Sequence, residues 1–140
     1  MPQMTDPLLH LISRAEALIT RLEAVIPHSL QAPDWQASSA FRYRQRGGVC
    51  TLEPVAHVAS IRLESLVEVE PQKERLLRNT AQFVDGRAAN NVLLTGARGT
   101  GKSSLIKACL NELAPRGLRL IEVDKADLVN LPDIVDLVAG

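Results

Sequence analysis

Residues 96 to 103 read Gly96-Ala97-Arg98-Gly99-Thr100-Gly101-Lys102-Ser103, which fits G-x-x-x-x-G-K-[ST] at every fixed position. The chemistry of that spacing is phosphate binding. Glycines at 96, 99 and 101 let the backbone turn back on itself and bring its N–H groups close to anionic oxygens. A helix starting near Lys102 adds unpaired N–H groups and a partial positive charge at the same point. The Lys102 ammonium is placed to bridge β- and γ-phosphates, and the Ser103 hydroxyl to ligate Mg²⁺. The candidate site is therefore the Walker A loop Gly96, Ala97, Arg98, Gly99, Thr100, Gly101, Lys102, Ser103 and Ser104. Lys102 stabilises phosphate charge in this reading, Ser103 holds the metal, and ATP with Mg²⁺ is the expected ligand. The competing reading is a glycine-rich helix cap with nothing bound.

The flanking residues supply the setting such a loop requires. Asn91-Val92-Leu93-Leu94-Thr95 is a short apolar run suited to a buried parallel strand. After the loop, apolar residues at 105, 106, 109, 110 and 113 recur at helical spacing. Pro115-Arg116-Gly117 then turns the chain into a second strand, Leu118 to Asp124. Residues 127 to 130 read as a loop, and Pro132 opens a last helix. The expected fold class is α/β, a P-loop parallel sheet incomplete at its C-terminal end and preceded by a mainly helical region. Two parallel strands make a poor sheet, since doubly wound nucleotide-binding folds carry about five. The chain is thus expected to be the N-terminal part of a longer protein. Alone, it is expected to be marginally stable or to self-associate through open strand edges.

Upstream, a helix is expected from Pro7 to Ile26, stopped by Pro27. Leu8, Leu11, Ile12, Ala15, Leu18, Ile19, Leu22, Val25 and Ile26 form its apolar stripe. Fewer than three heptads with Ala15 in the seam is thin for a coiled coil. Packing on its own domain is therefore preferred to a coiled-coil or docking role. Residues 27 to 40 read as a polar linker. Phe41-Arg42-Tyr43-Arg44 alternates aromatics with arginines. That pattern suits an edge strand with rings inward, and nucleic-acid stacking is the less favoured alternative. Gly47-Gly48 is a turn. A helix from Pro71 through Phe83 ends at Asp85-Gly86. The expected division is residues 1–40 as N-terminal helix and linker, and 41–140 as a truncated ATP-binding domain.

Bulk properties narrow the class. Lys+Arg 16 against Asp+Glu 16 gives a formal net charge of zero, so no global field draws the chain to nucleic acid or an anionic membrane. Apolar stretches are broken by charge, which argues against a membrane span. The N-terminus lacks the order of a secretory signal. Cys50 and Cys109 have no ligand-spaced partners and read as thiols in a reducing cytoplasm.

The loop has the form G-x-x-G-x-G-K-[ST] favoured among AAA+ ATPases, and Leu63 to Lys73 resembles the AAA+ segment that approaches adenine. That resemblance implies adenine contacts from Val67 and Val69. The family commonly has glycine where Glu68 stands here. Asn79-Thr80-Ala81-Gln82-Phe83, Ala89 to Leu94, Gly96 to Leu105 and Gly117 to Lys125 together resemble a bacterial AAA+-like ATP-binding family, domain of unknown function family 815. Phe41-Arg42-Tyr43-Arg44 and Leu52-Glu53-Pro54-Val55 resemble its upstream region, so the likeness covers roughly residues 40 to 138. It implies ATP binding, with hydrolysis dependent on Walker B acids, a sensor and an arginine finger that would lie further on. In AAA+ topology, Leu120 to Asp124 is the second strand, away from the metal.

Three functions follow as expectations. The first is Mg-nucleotide binding of AAA+ type. The second is a P-loop kinase-like phosphotransferase, which would put Asp124 to work. The third is a non-catalytic interaction module that docks through the N-terminal helix. A nucleotide is the expected partner of the first two, with self-association or a protein partner possible beside it.

Overall fold

The computed structural model describes residues 6–23, 25, 30–67 and 69–139. Its architecture is mixed α/β. Four α-helices are present among these residues: α1 (Asp6–Glu23), α2 (Glu70–Val84), α3 (Lys102–Leu113) and α4 (Leu131–Ala139). The strands are β1 (Ala40–Arg46), β2 (Val49–Pro54) and β3 (Leu120–Glu122), in the order β2-β1-β3.

The aromatic–arginine segment becomes the centre of this sheet. β1 and β2 form an antiparallel hairpin, with Phe41 opposite Pro54 and Arg46 opposite Val49. Gly47 and Gly48, at φ 56° and 81°, make the two-residue turn. On its other edge β1 pairs in parallel with β3, Phe41 opposite Ile121. Alternation sends Phe41 and Tyr43 to one face, where both are fully buried. Leu52 and Ile134 complete that core, and Trp35 meets Phe41 edge-on at 5.1 Å. The intervening arginines point the other way. Arg42 donates to Glu122 at 2.8 Å and Arg44 to Asp124 at 3.4 Å. Neither ring is left for a base to stack upon.

This corrects the expected sheet, which is mixed and not purely parallel. Residues 118–123 find their partner upstream, in β1, because the inward rings and outward arginines of β1 complement both faces of β3. Residues 91–95 form no strand. Val92 and Leu93 stay 49% and 85% exposed. An extended run without a neighbour gains no ladder hydrogen bonds. The segment expected to be an edge is central, and the segment expected to be buried is bare.

A second buried cluster lies along α3, from Leu105 through Ala108, Cys109, Leu110 and Leu113. α2 packs against it. The N-terminal helix departs from expectation in a different way. It forms, ending at Glu23, but every residue from Pro7 to Glu23 is exposed, so it is not packed on its own domain. The expected stop at Pro27 lies outside the described residues. No helix among the described residues is long and apolar enough to cross a membrane.

Candidate functional site

The backbone between 96 and 101 explains its glycines. Gly96, Gly99 and Gly101 adopt φ of 140°, 85° and 81°, a region that side chains with a Cβ rarely enter. Gly96 carries a second constraint, because a Cβ there would come within 3.2 Å of Thr100 Oγ1 and 3.8 Å of Lys102 Nζ. Gly101 is the N-cap of α3, and Lys102 and Ser103 begin its first turn. The loop therefore ends on a helix N-terminus, where unpaired N–H groups and the helix dipole favour an anion. Among the described residues, no protein acceptor takes the N–H groups of Gly99, Thr100, Gly101 or Lys102.

Lys102 folds back over this loop. Its ammonium donates to Gly96 O at 2.8 Å, Ala97 O at 2.6 Å and Thr100 Oγ1 at 3.1 Å. Thr100 Oγ1 in turn donates to Ala97 O at 2.9 Å. All three ammonium protons are thus satisfied by the loop itself. An anion entering the loop would compete for them with charge-assisted bonds, which are the stronger kind.

A cleft of about 680 Å³ opens beside the loop. That lies within the roughly 300–1,000 Å³ of small-molecule sites. Gly96, Gly99, Thr100, Gly101 and Lys102 of the loop line it together with Val67, Val69 and Gln72. Three polar side chains hold these segments in register. Lys73 donates to Leu63 O, Leu66 O and Glu70 Oε1 at 2.8–2.9 Å, fastening the turn before α2 to its first residues. Asn111 of α3 donates to Ala59 O and Ile61 O, at 2.8 and 2.9 Å. Asn79 of α2 exchanges two hydrogen bonds with the backbone of Asn90, which leads into the loop.

The structure thus brings together seven of the residues singled out from the sequence: Gly96, Gly99, Thr100, Gly101, Lys102, Val67 and Val69. Ala97 and Arg98 are exposed and do not line the cleft. Ser103 is exposed on the first turn of α3, and Ser104 is half-buried beside it. Glu68 lies outside the described residues. Asp124 lies two residues past the end of β3, its side chain 69% exposed and paired with Arg44, and does not line the cleft. Among the described residues there is no cluster of three or more His, Cys, Asp or Glu side chains able to hold a metal.

Sequence reasoning missed Gln72, Lys73, Asn79 and Asn111. Gln72 had a signal, since it directly follows the helix-opening Pro71 and so sits on the turn nearest the Val67–Val69 segment. The other three act by reaching distant backbone carbonyls, and nothing in local spacing marks that. Burial pushes the Cys109 thiol above its ordinary value, with the neighbouring Thr80 hydroxyl opposing in part. This makes it an inert packing group rather than a nucleophile.

Comparison with known proteins gives one match. Residues 36–140, most of the chain, match the family described as "Protein of unknown function (DUF815)". No curated protein and no solved structure matches the chain.

Proposed function

We propose that this chain, which belongs to the DUF815 family, binds Mg·ATP through residues 96–104 in the manner of an AAA+-type P-loop protein. One observation carries the reading: the glycine loop and residues Val67 and Val69, far apart in sequence, line a single cleft. The loop offers what triphosphate oxygens need, namely free backbone N–H groups, a helix N-terminus and an ammonium. The Val67, Val69 and Leu66 wall offers an apolar surface to a base, with the Gln72 amide at its edge.

The residues present fit the ligand. Gly96 lacks the Cβ that would crowd the Thr100 hydroxyl, so the turn stays tight. Lys102 would exchange its loop carbonyls for phosphate oxygens. Mg²⁺ would be held by Ser103 together with the phosphates and retained waters. Among the described residues no Asp or Glu lines the cleft, so no evident base orients an attacking water. Binding with slow turnover is the expected behaviour of this chain. The pairing of Asp124 with Arg44 gives the kinase-like reading no support.

Calorimetric titration of Mg·ATP into the protein tests the proposal, with saturable one-to-one binding as the expected result. Absence of binding at millimolar ATP overturns it. Phosphate release should stay well below the ~1 s⁻¹ of competent enzymes. A faster rate would mean that a catalytic carboxylate acts from outside the cleft walls described above.

A further inference from the structure

Helix α1 carries an apolar face that its own chain leaves bare. At about 100° per residue, Leu8, Leu11, Ala15, Leu18, Ile19 and Leu22 fall on one side of it. Leu8, Leu11 and Leu22 are 61%, 63% and 62% exposed. A lone helix of 18 residues is marginal in water, and most helices in proteins are stabilised by packing such a face. The stripe therefore calls for a cover.

The charges beside the stripe identify it. Glu16 and Glu23 border one side, and Arg14 and Arg21 the other. Among the described residues, none of the four is ion-paired within the chain. A helix flanked in this way is complementary to itself in one orientation only. When copies associate in parallel about a common axis, the left flank of each faces the right flank of the next, so carboxylates meet guanidiniums. In an antiparallel pair like flanks meet and repel. The same charges disfavour a lipid surface, because Arg14 and Arg21 set against Glu16 and Glu23 do not make a basic polar face.

We propose that α1 joins copies of this chain in parallel through its Leu8–Leu22 face, independently of the nucleotide cleft. Sedimentation equilibrium of the full chain over a concentration series tests this. Wild type should self-associate, and Leu11→Asp/Leu18→Asp should remain monomeric with the unfolding transition of the sheet retained, losing helix content in α1 alone. Arg14→Glu/Arg21→Glu makes both flanks acidic; Glu16→Arg/Glu23→Arg makes both basic. Each alone should lose affinity for itself on the order of tenfold, and an equimolar mixture should recover it. Under oxidation Leu22→Cys should cross-link to itself, and a mixture of Leu8→Cys with Leu22→Cys should not cross-link between the two, wild type serving as the background. A wild type that stays monomeric at all concentrations overturns the proposal. So does association that survives Leu11→Asp/Leu18→Asp, or an 8-to-22 cross-link. Monomeric protein that binds phosphatidylserine vesicles through this face would assign it to lipid and overturn the proposal as well.

Discussion

Segments 40–46 and 91–95 invert the usual link between apolar composition and burial. The first alternates rings with arginines and becomes the central strand, with Phe41 and Tyr43 fully buried. The second is apolar and leads into the glycine loop, yet it has no strand beside it and leaves Leu93 almost wholly exposed. The difference is partnership. β1 has a hairpin mate two residues away and a parallel mate whose Glu122 and Asp124 match its arginines. Residues 91–95 are fixed at one end only, where Asn79 holds Asn90. The packed sheet and the exposed lead into the candidate site thus differ in partnership, not in apolar content.

Substitutions should sharpen that difference, and the largest effect belongs to the sheet. Phe41→Ala removes a ring with no exposed surface that packs on Trp35, and should cost about 3–5 kcal/mol. Chemical denaturation measures it; a loss under ~1 kcal/mol would mean that the sheet is not the stabilising core.

Next comes pH. Burial, and then the hydrogen bond to Cys50 at 3.0 Å, push the Tyr43 hydroxyl from its ordinary value near 10 up to about 12. The folded state therefore holds this proton more tightly than the unfolded chain does. Its contribution is complete below pH 10 and lost as pH rises to 12, so stability should fall across that window. The burial-raised Cys109 thiol acts in the same direction, starting near pH 9. Tyr43 is the chain's single tyrosine, so phenolate absorbance reports it without overlap. Titration near pH 10 in folded protein would contradict the buried hydroxyl.

The smallest effect belongs to the exposed lead. Leu93→Ser replaces a side chain that is already 85% exposed and should shift stability by no more than about 0.5 kcal/mol. A large loss would show that residues 91–95 are covered in solution, and so break the comparison.

Helices 70–84 and 102–113 were legible because their start and stop signals are local: Pro71, Asp85-Gly86, and the glycine before Lys102. The glycine positions of the loop were legible for the same reason, since each answers a backbone angle. The sheet was not. Its register depends on Phe41 meeting Ile121 across eighty residues, and no local pattern encodes that choice. The cleft was legible in both segments that line it but not in its fastenings, which run from Lys73 and Asn111 to distant carbonyls.

The central claim is that loop 96–104 holds a nucleotide's phosphates, and Lys102→Ala tests it most directly. Wild type and variant are titrated side by side with Mg·ATP, after thermal unfolding has shown that both are folded. The Lys102 ammonium hydrogen-bonds only to loop atoms, and Thr100 keeps its own bond to Ala97 O, so the fold should survive. Loss of a charge-assisted contact worth roughly 1.5–3 kcal/mol should weaken binding on the order of tenfold to a hundredfold. Equal affinity of the two proteins for ATP would contradict the account.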